Sequence, residues 1–229
     1  MGKIFKQLAR HWAACLVVVA LLFVQAYCDL SLPDYTSKIV DTGIQQGGIE
    51  SPLPETLRSS TLNALSLLMS EEDAAAFENA YTLGSDDIYT LRSNLTDDER
   101  AALESAVTTP DIVLYMAAAQ NASATASTEE TVTPTSDDLD AVCAQFAAMT
   151  QMPGFSREVV QQQLASAMEQ IDETTLSSMA SQAALLVSLE YEAQGVAHDV
   201  QMRYLYRVGG QMLGLTLLMV AVAILVGLI

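Results

Sequence analysis

The chain has 229 residues, 51% of them hydrophobic, yet its formal net charge is -18, a combination that one well-mixed globular domain does not usually show. Residues 1–28 hold three basic and no acidic residues, residues 29–199 hold five basic and all 28 acidic residues, and residues 200–229 hold two basic residues. Such an acidic middle segment argues against nucleic acid as a partner, because phosphate binding requires clustered Lys and Arg.

The first segment predicts a membrane helix with a short interfacial helix ahead of it. Lys3, Lys6 and Arg10 precede an apolar stretch that runs from Trp12 to Cys28. Basic residues ahead of a first span favour a cytoplasmic N-terminus, which would place residues 46–199 outside, although as many basic residues flank the spans on that outer side. A cleaved signal peptide is the alternative for this segment.

The stretch VQAYCDLSLPDYTSKIVDTGIQQGGIE predicts that the first helix continues beyond the lipid. Pro33 would break or kink a helix at this depth, yet apolar residues recur at helical spacing after it. Gly43 and the Gly47-Gly48 pair are suited to end a helix. We therefore assign residues 1–45 to an interfacial helix and a first membrane helix with an extracellular extension.

Residues 46–199 predict an acidic, all-helical extracellular domain without strands. Thr96-Asp97-Asp98-Glu99 reads as a capping box at a helix start, and residues 120–138 read as a flexible linker between two helical groups. No disulfide framework is expected from Cys15, Cys28 and Cys143. We expect residues 52–186 to fold alone as a helical monomer. Two amphipathic faces are predicted, one formed by Leu57, Thr61, Ala64, Leu65 and Leu68, the other by Val160, Leu164, Ala167, Met168 and Ile171.

The last segment, residues 200–229, predicts a second membrane helix. We expect the helix that begins near Asp172 to run through Gln201 directly into this span. The apolar run from Val208 to Ile229 is long enough to cross a bilayer, which takes about 20 residues. Tyr and Arg residues anchor its near side and nothing anchors its far side. We therefore expect the span to be truncated and the chain to be the N-terminal fragment of a longer protein.

Five residues of the predicted spans are candidates for helix packing or for a transport path. Polar groups at membrane depth tend to face a bundle interior or a water-filled cavity. The G-x-x-x-G spacing allows close helix approach, either to a partner subunit or within one membrane domain. The sequence leaves these alternatives open. The candidates are Gln25, Pro33, Gly210, Gln211 and Gly214.

No catalytic, cofactor-binding or metal-binding residue is predicted in this chain. It lacks the G-x-x-x-x-G-K-[ST] loop that cradles nucleotide phosphates. His11 and His198 have no Cys or His partners at ligand spacing. Acidic pairs such as Asp97-Asp98 lack the alternating oxygens and the fixed glycine of a calcium loop.

Two stretches resemble the ATP-binding cassette exporters in which one polypeptide joins a six-helix membrane domain to a nucleotide-binding domain. Their first membrane helix commonly ends in a pattern of the type L-x-L-P-x-Y-x-x-x-I-V-D-x-G-I, and a subgroup carries a large extracellular insert before the second helix. The resemblance covers roughly residues 1–50 and 188–229 and consists of packing signatures. In the first stretch it lies in Leu30, Leu32, Pro33, Tyr35, Ile39, Val40, Asp41, Gly43 and Ile44, and in the second in Tyr191, Gly195, Gln201, Tyr204, Gly209 and Met212.

The resemblance implies an all-α chain that begins a type-1 exporter membrane domain in the cell membrane. It further implies that four more membrane helices and an ATPase domain follow, that this domain uses ATP and magnesium, and that an identical or different second half-transporter is the partner. Two alternatives stay open. One is a two-span receptor with an extracellular sensor domain, against which Pro33 and the glycines after Ile39 count. The other is a secreted domain with a C-terminal anchor.

Overall fold

The computed structural model describes residues 12–84, 86–125, 133–152, 156–168 and 173–228, and this part of the chain is mostly helical. The chain divides into two compact units. The helix-pair unit comprises Met1–Gly48 and Gln201–Ile229, and the middle unit comprises Ile49–Val200. In chain order the elements are α1 (Trp12–Lys38), a π-helix (Ile39–Gln45), β1 (Thr56–Arg58), α2 (Ser59–Leu68), α3 (Glu71–Ala80), β2 (Tyr81–Leu83), β3 (Ile88–Leu91), α4 (Asp97–Thr125), α5 (Ser136–Thr150), α6 (Arg157–Met168), α7 (Glu173–Ala193) and α8 (Ala197–Leu228).

The helix α1 runs through Pro33 without a break. Proline removes one backbone donor, and on both sides of it hydroxyl side chains donate to carbonyls one turn back, Ser31 to Tyr27 and Thr36 to Leu32. After Lys38 the helix widens into the π-helix, in which the amide of Gln46 donates to the carbonyl of Asp41 five residues earlier. The predicted interfacial helix at residues 1–11 lies outside the described residues.

The π-helix ends at the predicted Gly47-Gly48 pair. Both glycines have positive φ, 63° and 82°, a conformation that costs glycine little. The amide of Gly48 donates over 2.8 Å to the carbonyl of Thr42, six residues earlier, a separation one residue wider than the closing bond of a Schellman helix end. The expectation that this pair ends the first helix is confirmed, whereas the π-helical turn before it was not foreseen.

The middle unit is not all-α, and the expectation of no strands is wrong. Three short strands form an antiparallel sheet in the order β1-β3-β2. Leu57 was assigned to a helical face, but it lies in β1, because the helix α2 begins only at Ser59. The strands have three or four residues each, too few for an alternating pattern to be visible in the sequence.

Helices α2, α4, α5 and α7 build the core of the middle unit, and α3 and α6 pack against α2. The remaining members of the first predicted face are buried, as expected: Thr61, Ala64, Leu65 and Leu68. Val160 and Leu164 of the second face are half-buried, and the side chains of the other three lie outside the description. The largest fully buried side chains include Phe77, Leu57, Leu65, Leu114, Leu139 and Leu186.

Capping boxes fix two helix starts in this unit. The predicted box at Thr96 is confirmed, since Glu99 accepts from the Thr96 amide at 2.8 Å and the Glu99 amide donates to the Thr96 hydroxyl at 3.3 Å. A second box joins Thr135 and Asp138 at the start of α5. The predicted linker over 120–138 is therefore partly wrong, because α4 extends to Thr125 and α5 begins at Ser136. Its centre, residues 126–132, lies outside the described residues.

The single long helix expected from Asp172 into the second span is also wrong. The helix α7 ends at Ala193 and α8 begins at Ala197. Gly195 lies between them with φ of 73° and is followed by Val196, whose amide donates to the carbonyl of Tyr191. A residue in the left-handed conformation ends an α-helix, so this glycine separates the two helices.

Candidate functional site

Among the residues that the structure describes, two segments are long and apolar enough to cross a membrane, Leu16–Gln45 with 30 residues and Ala197–Leu228 with 32. Their mean hydropathies are 1.9 and 2.3, and only 6% of each apolar window is buried. Both helices expose large apolar side chains, among them Phe23 at 73% and Leu217 at 63%. The two helices pack together, and each leaves an apolar face open.

A small set of contacts joins the end of α1 and the π-helix to α8. We call these residues the clamp: Lys38, Gly43, Gln201, Tyr204 and Leu205. The side-chain amide of Gln201 donates to the carbonyl of Gly43 at 2.9 Å, and the Tyr204 hydroxyl donates to the carbonyl of Lys38 at 3.4 Å. Gly43 is buried, and a Cβ there would lie 2.7 Å from Leu205 Cδ2. A side chain at position 43 would therefore require the Leu205 side chain to move away from the π-helix.

The clamp satisfies backbone groups that a helix end leaves open. The last carbonyls of a helix have no amide partner within it. Gly43 lies within the last turn of the π-helix, and its carbonyl receives the Gln201 amide. The buried ring of Tyr204 is covered by the Arg207 guanidinium at 5.6 Å, an attractive cation–π distance.

The five candidate residues from the sequence do not belong to the clamp. Gln25 is half-buried on α1 and Pro33 is exposed on the same helix, while Gly210, Gln211 and Gly214 are exposed on α8. A Cβ built on Gly210 or on Gly214 would meet no atom within 4 Å. Within the described part of the chain, these glycines therefore bring no helix close.

In the middle unit, Glu190 on α7 is the centre of a buried polar network. Only 1% of this residue is exposed to solvent. Its carboxylate accepts from the Arg58 amide at 2.7 Å, from the Thr61 hydroxyl at 2.6 Å and from the Gln194 side chain at 2.9 Å. The Arg58 guanidinium pairs with Glu190 at 3.2 Å and with Asp140 at 2.7 Å. The network ties β1 to the last helix of the unit.

Electrostatics keep Arg58 charged. Burial opposes its charge, but the hydrogen bonds and charge of Glu190, followed by those of Asp140, outweigh burial and raise the pKa of Arg58. A buried charge is tolerated when it is paired and fully hydrogen-bonded. The network is thus a structural ion pair whose exposed end is the Asp140 carboxylate, 51% accessible.

Beside this network lies a cleft of about 540 Å³ between α2, α5 and α6. We call it the α2–α5–α6 cleft. Its charged lining consists of Arg58, Arg157, Glu78 and Asp140, and small side chains such as Ala64 and Ala144 line the apolar part. Cys143 also lines the cleft, but burial raises the pKa of its thiol to about 11, so it is not a reactive thiolate at neutral pH.

Asp111 is the second buried acid among the described residues of the middle unit, and unlike Glu190 it is not part of a hydrogen-bonding network there. It is fully buried on α4, and both carboxyl oxygens are without a hydrogen-bond partner among the described residues. Burial raises the pKa of Asp111 well above its ordinary value. In the described residues no group of three or more His, Cys, Asp or Glu side chains converges as metal ligands would.

The sequence offered faint signals for these residues. Glu190 stands between Leu189 and Tyr191 in an apolar helical face, and Asp111 stands between Pro110 and Ile112 in another. An acid inside an apolar face indicates a buried, functional or paired carboxylate. That signal does not reveal the partner, since Arg58 is 132 residues away from Glu190.

Comparison of the chain with protein-family models finds no match, and comparisons with curated proteins and with solved structures find none either.

Proposed function

We propose that this chain is the N-terminal membrane part of an ATP-driven exporter subunit in the cell membrane. In this proposal α1 and α8 are the first two membrane helices, with both ends on the cytoplasmic side and the middle unit outside. Lipid surrounds their open apolar faces, and further helices of the same membrane domain cover the rest. A second half-transporter, identical or different, completes the transporter.

The clamp is the observation that carries this proposal. The sequence resemblance to the exporters lies in two stretches that are far apart in the chain, and Gly43 belongs to the first whereas Gln201 and Tyr204 belong to the second. These residues contact one another through a buried glycine and a hydrogen bond. A packing signature has a physical reason if its members pack together.

The ends of the middle unit support its role as an insert between two neighbouring helices. The amide of Glu55, near the start of the unit, donates to the hydroxyl of Tyr191 at 2.8 Å, and the hydroxyl of Thr56 donates to Gln194 at 2.8 Å. Domains whose termini lie close together are those that are tolerated as insertions.

The role of this chain in the proposed transporter is mechanical. Phosphoryl transfer needs a phosphate cradle, a lysine and a carboxylate-held magnesium ion. The sequence has three lysines, Lys3, Lys6 and Lys38, and none lies in a glycine-rich loop. ATP and magnesium would be bound by a nucleotide-binding domain elsewhere in the subunit, and hydrolysis there would move the two helices.

An ATPase assay tests the proposal. The purified 229-residue chain and the intact subunit are compared in lipid for magnesium-dependent ATP hydrolysis. We expect turnover by the intact subunit and none by the chain. An intact subunit that does not bind ATP would overturn the family assignment, and turnover by the chain alone would contradict the mechanical role.

A receptor with two spans and an extracellular sensor domain is the second candidate. The α2–α5–α6 cleft favours it, because a sensor needs a ligand site outside the membrane. The sequence argument against it is weakened, since α1 runs through Pro33 unbroken. A change in the intact protein's signalling output on addition of a ligand, without any ATP hydrolysis, would select this candidate over the exporter.

A further inference from the structure

The α2–α5–α6 cleft has the size and the polarity of a site for a small molecule. Ligand pockets in proteins span about 300–1,000 Å³ and combine apolar walls with a few placed polar groups. The cleft holds about 540 Å³, and amide or hydroxyl side chains of Ser60, Asn63, Thr150 and Gln151 stand among its alanines.

One polar group of the cleft lining has no partner. Ser66 is 3% exposed, and its hydroxyl oxygen makes no hydrogen bond among the described residues. Ser66 belongs to the lining of the cleft, in which it stands beside Asn63 and Leu67 of the same helix. Buried hydroxyls are almost always satisfied, so an unsatisfied one in a cleft points to a missing partner.

Charged side chains of both signs in the cleft lining are available to a ligand. One carboxylate oxygen of Asp140 pairs with the Arg58 guanidinium at 2.7 Å, and the Asp140 side chain is half exposed. Glu78 is an exposed carboxylate of the lining. Among the residues that the structure describes, no carboxylate lies within ion-pair distance of Arg157. The carboxylates of Asp140 and Glu78 can thus bind an ammonium group of a ligand, and the Arg157 guanidinium can bind a carboxylate of the ligand.

The negative net charge around the cleft favours a ligand that carries an ammonium group. Residues 29–199 carry 28 acidic residues against five basic ones, so a ligand with net negative charge is repelled. Glu190 adds a buried carboxylate behind Arg58 and neutralises it. The side-chain amides of Asn63 and Gln151 can donate to and accept from the peptide groups of a ligand. The alanines of the lining leave room for small ligand side chains.

We propose that the α2–α5–α6 cleft binds a short peptide with free termini, whose ammonium group lies at Asp140 and Glu78 and whose carboxylate lies at Arg157. The ligand binds without covalent chemistry and without ATP. The proposal does not depend on the exporter assignment, because a receptor or an exporter can carry this site.

Calorimetric titration of the full chain in lipid nanodiscs with three matched peptides tests the site. Trialanine has both charges, trialanine amide keeps only the ammonium group, and N-acetyl-trialanine keeps only the carboxylate. We expect trialanine to bind at least about tenfold more tightly than its amide, since only trialanine can form the charge-assisted contact with Arg157. The acetylated peptide is expected to bind weakest, because it loses the ammonium group and is repelled by the acidic unit.

Variants separate the site from general electrostatics. Arg157→Gln should abolish the preference for trialanine over its amide, while Arg157→Lys should keep part of it. Arg92→Gln, which removes an exposed arginine outside the cleft, is the matched control and should leave all three affinities unchanged. Circular dichroism confirms that each variant is folded. Absence of saturable binding by any peptide, or equal losses in the Arg157 and Arg92 variants, would overturn the proposal.

Discussion

The side-chain amide of Gln201 donates a hydrogen bond to the backbone carbonyl of Gly43 at 2.9 Å, across 158 positions of sequence. The acceptor lies near the end of the π-helix, where backbone carbonyls lack intrahelical partners. The bond therefore stabilises an irregular helix end that regular backbone pairing does not complete.

Removal of the Gln201 donor should loosen the π-helix. A typical hydrogen bond contributes about 1 kcal/mol net, so Gln201→Ala should speed amide exchange over residues 39–48 about fivefold. Hydrogen–deuterium exchange of the full chain in lipid measures this. Gln211→Ala, at an exposed position of the same helix, is the control and should leave this segment unchanged. Equal exchange in both variants would show that the clamp does not stabilise the turn.

Glu190→Gln should lower the free energy of unfolding of the middle unit far more than Asp140→Asn does. Breaking a buried ion pair costs about 3–5 kcal/mol because the partner charge stays buried, whereas an exposed pair contributes about 0–1 kcal/mol. We expect a loss near the lower end for Glu190→Gln, since Arg58 keeps Asp140. Urea unfolding of the middle unit, followed by circular dichroism, measures both variants. Similar losses in the two would contradict the central position of Glu190.

Asp111 should make the middle unit less stable as pH rises. An unfolded Asp titrates near pH 3.9, and burial raises the pKa of Asp111 well above that in the folded state. The folded state thus retains a proton that the unfolded state releases. Its stability is complete below the unfolded pKa and is lost as pH rises toward the folded pKa.

Asp111→Asn removes this ionisation, so it should flatten the pH dependence of the unfolding free energy above pH 4 and leave the variant more stable than the unmodified chain at pH 8. Urea unfolding between pH 4 and pH 8 tests it. Glu192→Gln, an exposed position on α7, is the control and should retain the slope of the unmodified chain. A wild-type unit whose stability increases over this range would contradict the buried, protonated state of Asp111.

The proposed topology predicts where a single cysteine is labelled in intact cells. In a chain with Cys15, Cys28 and Cys143 changed to Ser, Asn94→Cys places a thiol at an exposed position between β3 and α4. A membrane-impermeant maleimide should label it without permeabilisation. Lys3→Cys should be labelled only after permeabilisation. The reverse pattern would place the middle unit inside the cell.

Sequence periodicity predicted the features whose causes are local. The apolar lengths of the two terminal helices, the Thr96 capping box and the Gly47-Gly48 end each depend on a few neighbouring residues. The sequence did not predict the π-helical turn, whose contacts include a hydrogen bond from Gln201, 158 positions away from its Gly43 acceptor. The sequence did not predict β1 because it pairs with β3 across 30 or more residues. The hairpin of β2 and β3 is local, but its strands are too short to show an alternating pattern.

The segment 52–186, which we expect to fold alone, illustrates the same limit, although the predicted middle domain, residues 46–199, includes the residues concerned. The segment 52–186 keeps both predicted helical faces, yet it lacks Glu190, Tyr191 and Gln194, whose hydrogen bonds hold β1. Those bonds join residues more than 130 positions apart. The candidate cleft was likewise invisible, because its three helices come from different parts of the segment.

The long reach of the Glu190 contacts also sets the order in which this unit can fold during synthesis. Arg58 emerges from the ribosome 132 residues before Glu190. At about 5–20 residues per second, the partner follows some 7–26 s later. Until then β1 lacks the buried carboxylate that accepts from the Arg58 amide and the helix that packs against the strand. The pairing of β1 with α7 therefore forms only after nearly the whole middle unit has been synthesised.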